Sequence, residues 1–260
     1  MSEFISSLAQ ELYEAREAVS AILPLTDRFP DLTIDDAYRI QLAMVERRCH
    51  EGGQRIVGKK IGVTSKPVMD LFDVREPDFG FVTSDMMIDC AGEIETSTLI
   101  APKVEGEIAF VLGRDLTGPN VTEQDVLDAT ELVMPCLEIV DSRIGEWKIK
   151  IQDTVADNAS AALVVLGDMA LPPNRIDLVT CGMSLEINGE LRSTGAGAAT
   201  LGHPARAVAW LANTLGKYGI SLKAGEVILS GSMGAMLPVA KGDYVRMTVS
   251  GLGTADARFL

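Results

Sequence analysis

Lys103-Val104-Glu105-Gly106-Glu107-Ile108-Ala109-Phe110-Val111-Leu112 is mostly apolar, with its acids two residues apart, which predicts a β-strand. Strand side chains alternate between faces, so Glu105 and Glu107 point the same way, about 7 Å apart at the backbone. Like charges that close raise each other's pKa unless a cation lies between them. A second apolar run, Pro135-Cys136-Leu137-Glu138-Ile139-Val140-Asp141, is interrupted by Glu138. Burying a charge is very costly unless it is paired or bound to a metal. Three carboxylates on apolar strands therefore point to a hard-cation site, for Mg²⁺ or Mn²⁺, with positions left open for water or substrate. The competing reading is a strand with one solvated face. Glu138 weighs against it, because isolated acids are rarely buried unpaired.

Further short strands are expected at Ile56–Val63, Cys136–Val140, Ala162–Leu166, Met183–Asn188, Val227–Leu229 and Tyr244–Val249, with Asn188-Gly189 as a hairpin turn. Upstream the period is helical. Phe4, Leu8, Leu12 and Ala15 form one stripe, and a second helix starts at a Thr33 cap completed by Asp36 and ends at Gly52-Gly53. After residue 55 two helices are expected, one capped at Thr122 with Asp125 and one from Pro204 to Leu215. Residues 1–54 thus read as a helical region packed on a β-rich α+β domain of residues 55–260, with no Pro/Gly/Ser linker between them.

The 260 residues carry a formal net charge of −14 and 47% hydrophobic residues. Such a chain can bury a sizeable core. The charge argues against nucleic-acid and anionic-membrane partners, which need clustered Lys and Arg. An anionic substrate then needs a local positive centre, which a metal and a lysine can supply. Cys49, Cys90, Cys136 and Cys181 are widely spaced and read as reduced core thiols of a cytoplasmic protein. No secretory signal and no membrane span is read.

Several segments offer chemistry. In Gly58-Lys59-Lys60-Ile61-Gly62 alternation puts the two lysines on opposite faces. An inward one is a salt-bridge partner or a tuned acid/base group, and the alternative is an edge-strand lysine. Glu76-Pro77-Asp78-Phe79-Gly80 reads as a loop in which Asp78 makes a local turn. Asp141-Ser142-Arg143 and the stretch from Asp153 to Ser160 are dense in small polar groups, as helix caps or site linings are. The glycine-rich Thr194–Pro204 segment either holds a small carboxylate or is a tight loop. It lacks the spacing of a P-loop or a dinucleotide site. His203 reads as a helix cap and His50 as a solvated one. A Ser-His-Asp hydrolase is poorly supported.

Taken in order, Lys60-Ile61-Gly62-Val63-Thr64-Ser65, Pro77-Asp78-Phe79-Gly80, Glu105-Gly106-Glu107, Glu138-Ile139-Val140-Asp141-Ser142-Arg143, Val155-Ala156-Asp157-Asn158-Ala159-Ser160 and the Gly195–Pro204 loop resemble the 2-oxopent-4-enoate hydratases of aromatic meta-cleavage pathways. These belong to the hydratase/decarboxylase group of the fumarylacetoacetate hydrolase superfamily. The resemblance covers essentially the whole chain. It implies a fumarylacetoacetase-like mixed β-sandwich roll and ring-like homo-oligomers, pentamers or decamers. It implies Mg²⁺ or Mn²⁺ on Glu105, Glu107 and Glu138, catalysis by Lys60 and Asp78, and substrate contacts at Ser160, Gly197 and Leu201. The implied reaction is hydration of 2-hydroxypenta-2,4-dienoate, with possible association with the pathway decarboxylase. The alternatives are a 4-oxalocrotonate decarboxylase, which the resemblance gives an apolar residue in place of Asp78, and a non-catalytic scaffold subunit. Ser232-Met233-Gly234-Ala235-Met236-Leu237-Pro238 departs from the hydratase pattern and leaves chain-length preference open.

Overall fold

The N-terminal apolar periodicity becomes helix because its caps are in place. A computed structural model describes residues 2–260, and for Glu146 the backbone alone. The first helix, α1 (Glu3–Glu17), is capped by Ser2, whose side chain accepts from the Ile5 N–H. Its core face carries Ile5, Leu8, Leu12 and Ala15, while Phe4, expected there, is exposed and meets Phe29 edge-on. After the single turn α2 (Leu25–Arg28), Thr33 caps α3 (Ile34–His50) by accepting from the Asp36 N–H. Burial of Ala37, Ile40 and Met44 ties α3 to α1 in an apolar cluster that also takes in Ile144, Val155 and Ala156.

The remaining chain forms β1 (Ile56–Gly62), α4 (Lys66–Phe72), β2 (Asp78–Thr83), β3 (Met87–Ile88), β4 (Gly92–Ile94), β5 (Lys103–Leu112), α5 (Glu123–Ala129), β6 (Thr130–Val140) and α6 (Ile151–Ala156). It continues through β7 (Ala161–Leu166), β8 (Gly182–Ile187), β9 (Glu190–Ala196), α7 (Pro204–Gly216), β10 (Val227–Leu229), β11 (Leu237–Pro238), β12 (Tyr244–Val249) and β13 (Gly253–Phe259). The larger sheet runs β2-β1-β10-β5-β6-β7-β3, with β11 also on β5, and the smaller runs β4-β13-β12-β8-β9. Pairing is mostly antiparallel, but β1 with β10, β3 with β7 and β4 with β13 are parallel. This mixed α+β architecture is the expected class.

The two sheets face each other across one core. A β-carbon on Gly106, between the two glutamates of β5, would lie 3.0 Å from Met247 Sδ of β12. Gly106 therefore faces the second sheet and the glutamates face the other way. Among the described residues no helix is long and apolar enough to cross a membrane, and all four thiols are free.

Some expectations need correction. Residues 78–80, expected in a loop, instead open strand β2, because Phe79, Phe81 and Val82 are all buried and outweigh the turn chemistry of Pro77 and Gly80. Among the described residues after 55 there are four α-helices rather than two; α4 and α6 are too short for a periodicity signal, and α4 buries no residue. The strand through Glu138 begins at Thr130, well before Cys136. Lys59 is no edge lysine: its ammonium lies 2.6 Å from Glu226 and is buried. His203 does cap α7, its Nδ1 accepting from the Ala205 N–H, and His50 is exposed.

Candidate active site

Strand register gathers the carboxylates. On β5 and β6, Glu105 stands directly opposite Glu138, and Glu107 lies two residues further on the same face. One oxygen from each of the three carboxylates lies within 4.8 Å of the others. Glu107 and Glu138 are fully buried, and Glu105 opens onto a cavity of about 380 Å³. Glu107 Oε2 accepts from the Gly231 N–H at 2.7 Å. Glu107 Oε1 and both oxygens of Glu138 are buried without a hydrogen-bond partner. Anionic oxygens left so in a protein interior are strongly unfavourable. A cation among them removes the penalty, and an all-oxygen donor set suits a hard divalent ion.

Lys60 enters the same cavity from β1. Its ammonium lies 3.2 Å from Glu138 Oε1, close enough for an ion pair though not aligned as a hydrogen bond, and donates to the Ala159 carbonyl at 3.0 Å. Burial works against its charge, but the carboxylates of Glu138, Asp78, Glu105 and Glu107 outweigh burial and hold its pKa above the usual lysine range. Asp78, first residue of β2, is register-paired with Gly62 beside Lys60. Burial pushes its pKa up against the pull of Lys60, and its Oδ1 has no hydrogen-bond partner.

The wall opposite is built by backbone strain. Asn158, Ala159 and Ser160 all adopt positive φ, at 57°, 50° and 54°. Three such non-glycine residues in a row persist only where surrounding bonds force them. Here the Asn158 side chain both accepts from the Phe81 N–H and donates to the Phe81 carbonyl. The buried Asp157 binds the Arg143 backbone N–H and its guanidinium. The run turns the Ala159 carbonyl onto Lys60 and sets the Ser160 hydroxyl 3.2 Å from Thr154 Oγ1. The polar stretches around Arg143 and Asp157 thus brace the site, a role their composition did not disclose.

A family model described as "Fumarylacetoacetate (FAA) hydrolase C-terminal" matches residues 59–260. The chain belongs to the fumarylacetoacetate hydrolase family. Within that family it is 52% identical over 259 residues to a 2-hydroxyhexa-2,4-dienoate hydratase of Comamonas testosteroni, covering 99% of this chain and 98% of the relative. It is 58% identical over 219 residues to a 2-hydroxypent-2,4-dienoate hydratase of Pseudomonas putida, covering 84% and 98%. Among solved structures it resembles 4-oxalocrotonate decarboxylase from Pseudomonas putida G7 complexed with magnesium and adipate, at TM-score 0.96 and 38% identity, over 100% of this chain and 99% of that one.

In this member of the fumarylacetoacetate hydrolase family, Lys60, Asp78, Glu105, Glu107, Glu138 and Ser160 come together around one cavity. Gly197 and Leu201 do not line it. A β-carbon on Gly197 would meet the Leu178 carbonyl, and the Leu201 N–H bonds the Thr64 carbonyl from behind the cavity wall. Their loop supports Thr64, which does face the cavity. Sequence reasoning missed the apolar flank of Val68, Leu71 and Phe72 on α4, with Trp147 and Ile149 beyond. A run of hydrophobic residues in a short, otherwise unburied helix was the available signal.

Two expectations arise from this geometry. A β-carbon at Gly62 would lie 2.2 Å from Asp78 Oδ1 and 3.2 Å from Lys60 Nζ. Gly62→Ala is expected to displace Asp78 and lower turnover at least roughly tenfold with bound metal unchanged, since misplaced acid/base groups lose their rate advantage. Wild-type turnover would contradict this.

The second concerns protons. Burial, and then the Glu138 charge, push Glu105 up to about 7 and Glu107 well above the usual carboxylate range. A metal binds the deprotonated form, so binding at neutral pH is expected to release protons and to weaken as pH falls. Calorimetry in buffers of differing ionisation enthalpy measures that release; affinity that is constant from about pH 6 to 8 would contradict it.

Proposed function

We propose that the chain is a hydro-lyase that hydrates 2-hydroxypenta-2,4-dienoate to 4-hydroxy-2-oxopentanoate, a step of aromatic meta-cleavage degradation. The observation that carries this is the convergence of Lys60 and Asp78 on the three-glutamate cluster, in a chain 52% and 58% identical to dienoate hydratases. Glu105, Glu107 and Glu138 would hold Mg²⁺ or Mn²⁺. When bound there, the ion supplies Lewis-acid stabilisation of the charge that develops on the substrate's 2-oxo group.

The chain's own groups move the protons. Hydration needs the 2-hydroxyl proton to leave as carbon 5 is protonated, and then one water to be split, its hydroxyl going to carbon 4 and a proton to carbon 3. Asp78, its pKa raised by burial, exchanges protons nearer neutrality than an ordinary aspartate. Lys60 keeps its proton and holds positive charge beside the reacting chain, and the Ala159 carbonyl fixes its direction. Ser160, against Thr154 at the cavity wall, offers a hydroxyl to the substrate. The apolar flank of α4 suits an uncharged tail.

Asp78→Asn is expected to cut hydration at least roughly 100-fold with little change in substrate affinity. Near wild-type rate would reduce Asp78 to a strand residue and remove the main argument for a hydratase. The second reading, decarboxylation of a 2-oxo-3-enedioate, is supported by the likeness to the solved decarboxylase. Incubation with 2-hydroxypentadienoate and with 4-oxalocrotonate separates them. Water addition to the first with no CO₂ from the second is expected; CO₂ release without hydration favours the second. The family likeness extends the proposal to ring-like homo-oligomers and association with the pathway decarboxylase.

A further inference from the structure

The cavity mouth carries a second cation. Lys103 precedes Glu105 by two residues on β5 and so shares its face. It lines the same cavity, and its ammonium lies 4.0 Å from the centroid of the Trp147 ring. That ring is itself anchored. Trp147 Nε1–H donates to the Ala101 carbonyl at 3.0 Å. The Ala101 loop is clamped in turn by the buried Asp141, whose carboxylate accepts from the Ile100 and Ala101 N–H groups at 2.9 and 2.6 Å. Each link fixes the next: Asp141 the loop, the loop the indole, the indole the lysine.

A surface lysine with no task would not need such bracing. The electrostatics supply the task. The protein carries −14, and four carboxylates face Lys60 around the cavity. A carboxylate substrate approaching this mouth meets net negative charge before it reaches a metal. An ammonium has three rotatable donors, and a ring face engages only one side of it.

We propose that Lys103, held on Trp147, is a substrate-binding residue that captures the C1 carboxylate of the dienoate at the cavity mouth and directs it onto the glutamate cluster. The identity of the ligand rests on the hydratase reading above. Lys103 makes no covalent or proton-transfer step. It acts equally in ground and transition states, so its loss raises KM and leaves kcat.

The test uses the full-length protein with Mg²⁺, comparing wild type, Lys103→Met, Lys103→Gln and Lys103→Arg. The probe is 2-oxopentanoate, a saturated 2-oxo acid that cannot be hydrated, with binding measured by calorimetry alongside steady-state hydration of the dienoate. Both neutral variants are expected to bind 2-oxopentanoate about tenfold more weakly and to raise KM by a similar factor, the scale of one partly screened charge pair. Their kcat should stay within about twofold, and KM should lose most of its dependence on ionic strength. Arginine should restore most of the affinity. Using two neutral side chains of different shape guards against a folding defect in one. If both fold and bind the probe as wild type does, or keep the full salt dependence, the inference fails. A loss confined to the dicarboxylate adipate, with 2-oxopentanoate unaffected, would overturn the C1 assignment. If wild type binds the probe but does not hydrate the dienoate, the hydratase reading fails and the Lys103 inference is still judged by the calorimetry.

Discussion

Lys60→Met is expected to fold, to bind metal near the wild-type level, and to lose turnover by roughly 10²–10³-fold, the scale of removing one fixed positive group that stabilises charge developing in the transition state. Methionine keeps most of the side-chain volume and removes the ammonium. That ammonium is 3.2 Å from Glu138 and is the cation set against Asp78, Glu105, Glu107 and Glu138. Breaking a buried pair by deleting one partner costs about 3–5 kcal/mol when nothing replaces it. Here a metal can. The variant should therefore melt well below wild type in chelator and recover most of the difference with Mg²⁺ present. Melting temperature, bound metal and rate, taken on one preparation, separate the two roles. A variant that is folded, metal-loaded and fully active would exclude Lys60 from both.

Glu107→Ala is expected to abolish hydration by removing the metal. Ligand charge count tunes hard-cation affinity over several decades, so losing one of three carboxylates should weaken binding at least roughly 100-fold. Stability should move little in the metal-free protein, because two effects oppose. The Gly231 N–H loses its acceptor, at about 1–3 kcal/mol. Against that, a fully buried carboxylate crowded by Glu138 and Glu105 disappears. Thermal melting with and without Mg²⁺ reads the difference: wild type should gain several degrees from metal and the variant almost none. Metal-independent turnover in the variant would break the assignment of the site.

The glutamate cluster was legible because its signal is local. Two acids at strand spacing share a face whatever the tertiary fold, and an acid embedded in an apolar run such as Glu138 needs a partner. The caps at Thr33 and Thr122 and the helix at Pro204 were legible for the same reason. Asp78 was harder. Proline and glycine around it signal a turn, and only the burial of Phe79 and Phe81 against the rest of the protein makes the segment a strand. Lys59 and Lys60 alternate as expected, but both faces of β1 are covered, so one reaches the cavity and the other Glu226.

The positive-φ run at Asn158–Ser160 was not readable, because no glycine marks it and its cause is the distant contacts of Asn158 with Phe81 and Asp157 with Arg143. Gly197 and Leu201 lie off the cavity for a different reason. Their glycine-rich loop has the composition of an anion site, yet it is spent on close packing against Leu178 and Thr64.

The central claim is that one divalent cation sits among Glu105, Glu107 and Glu138, with Lys60 and Asp78 beside the substrate it helps to hold. Anomalous diffraction from crystals grown with Mn²⁺ and 2-oxopentanoate tests this directly. The account predicts one strong peak within coordination distance of all three carboxylates, with the 2-oxo acid on its cavity side between Lys60 and Asp78. A peak elsewhere, or an empty cluster in crystals whose 2-oxo acid is bound, would contradict it.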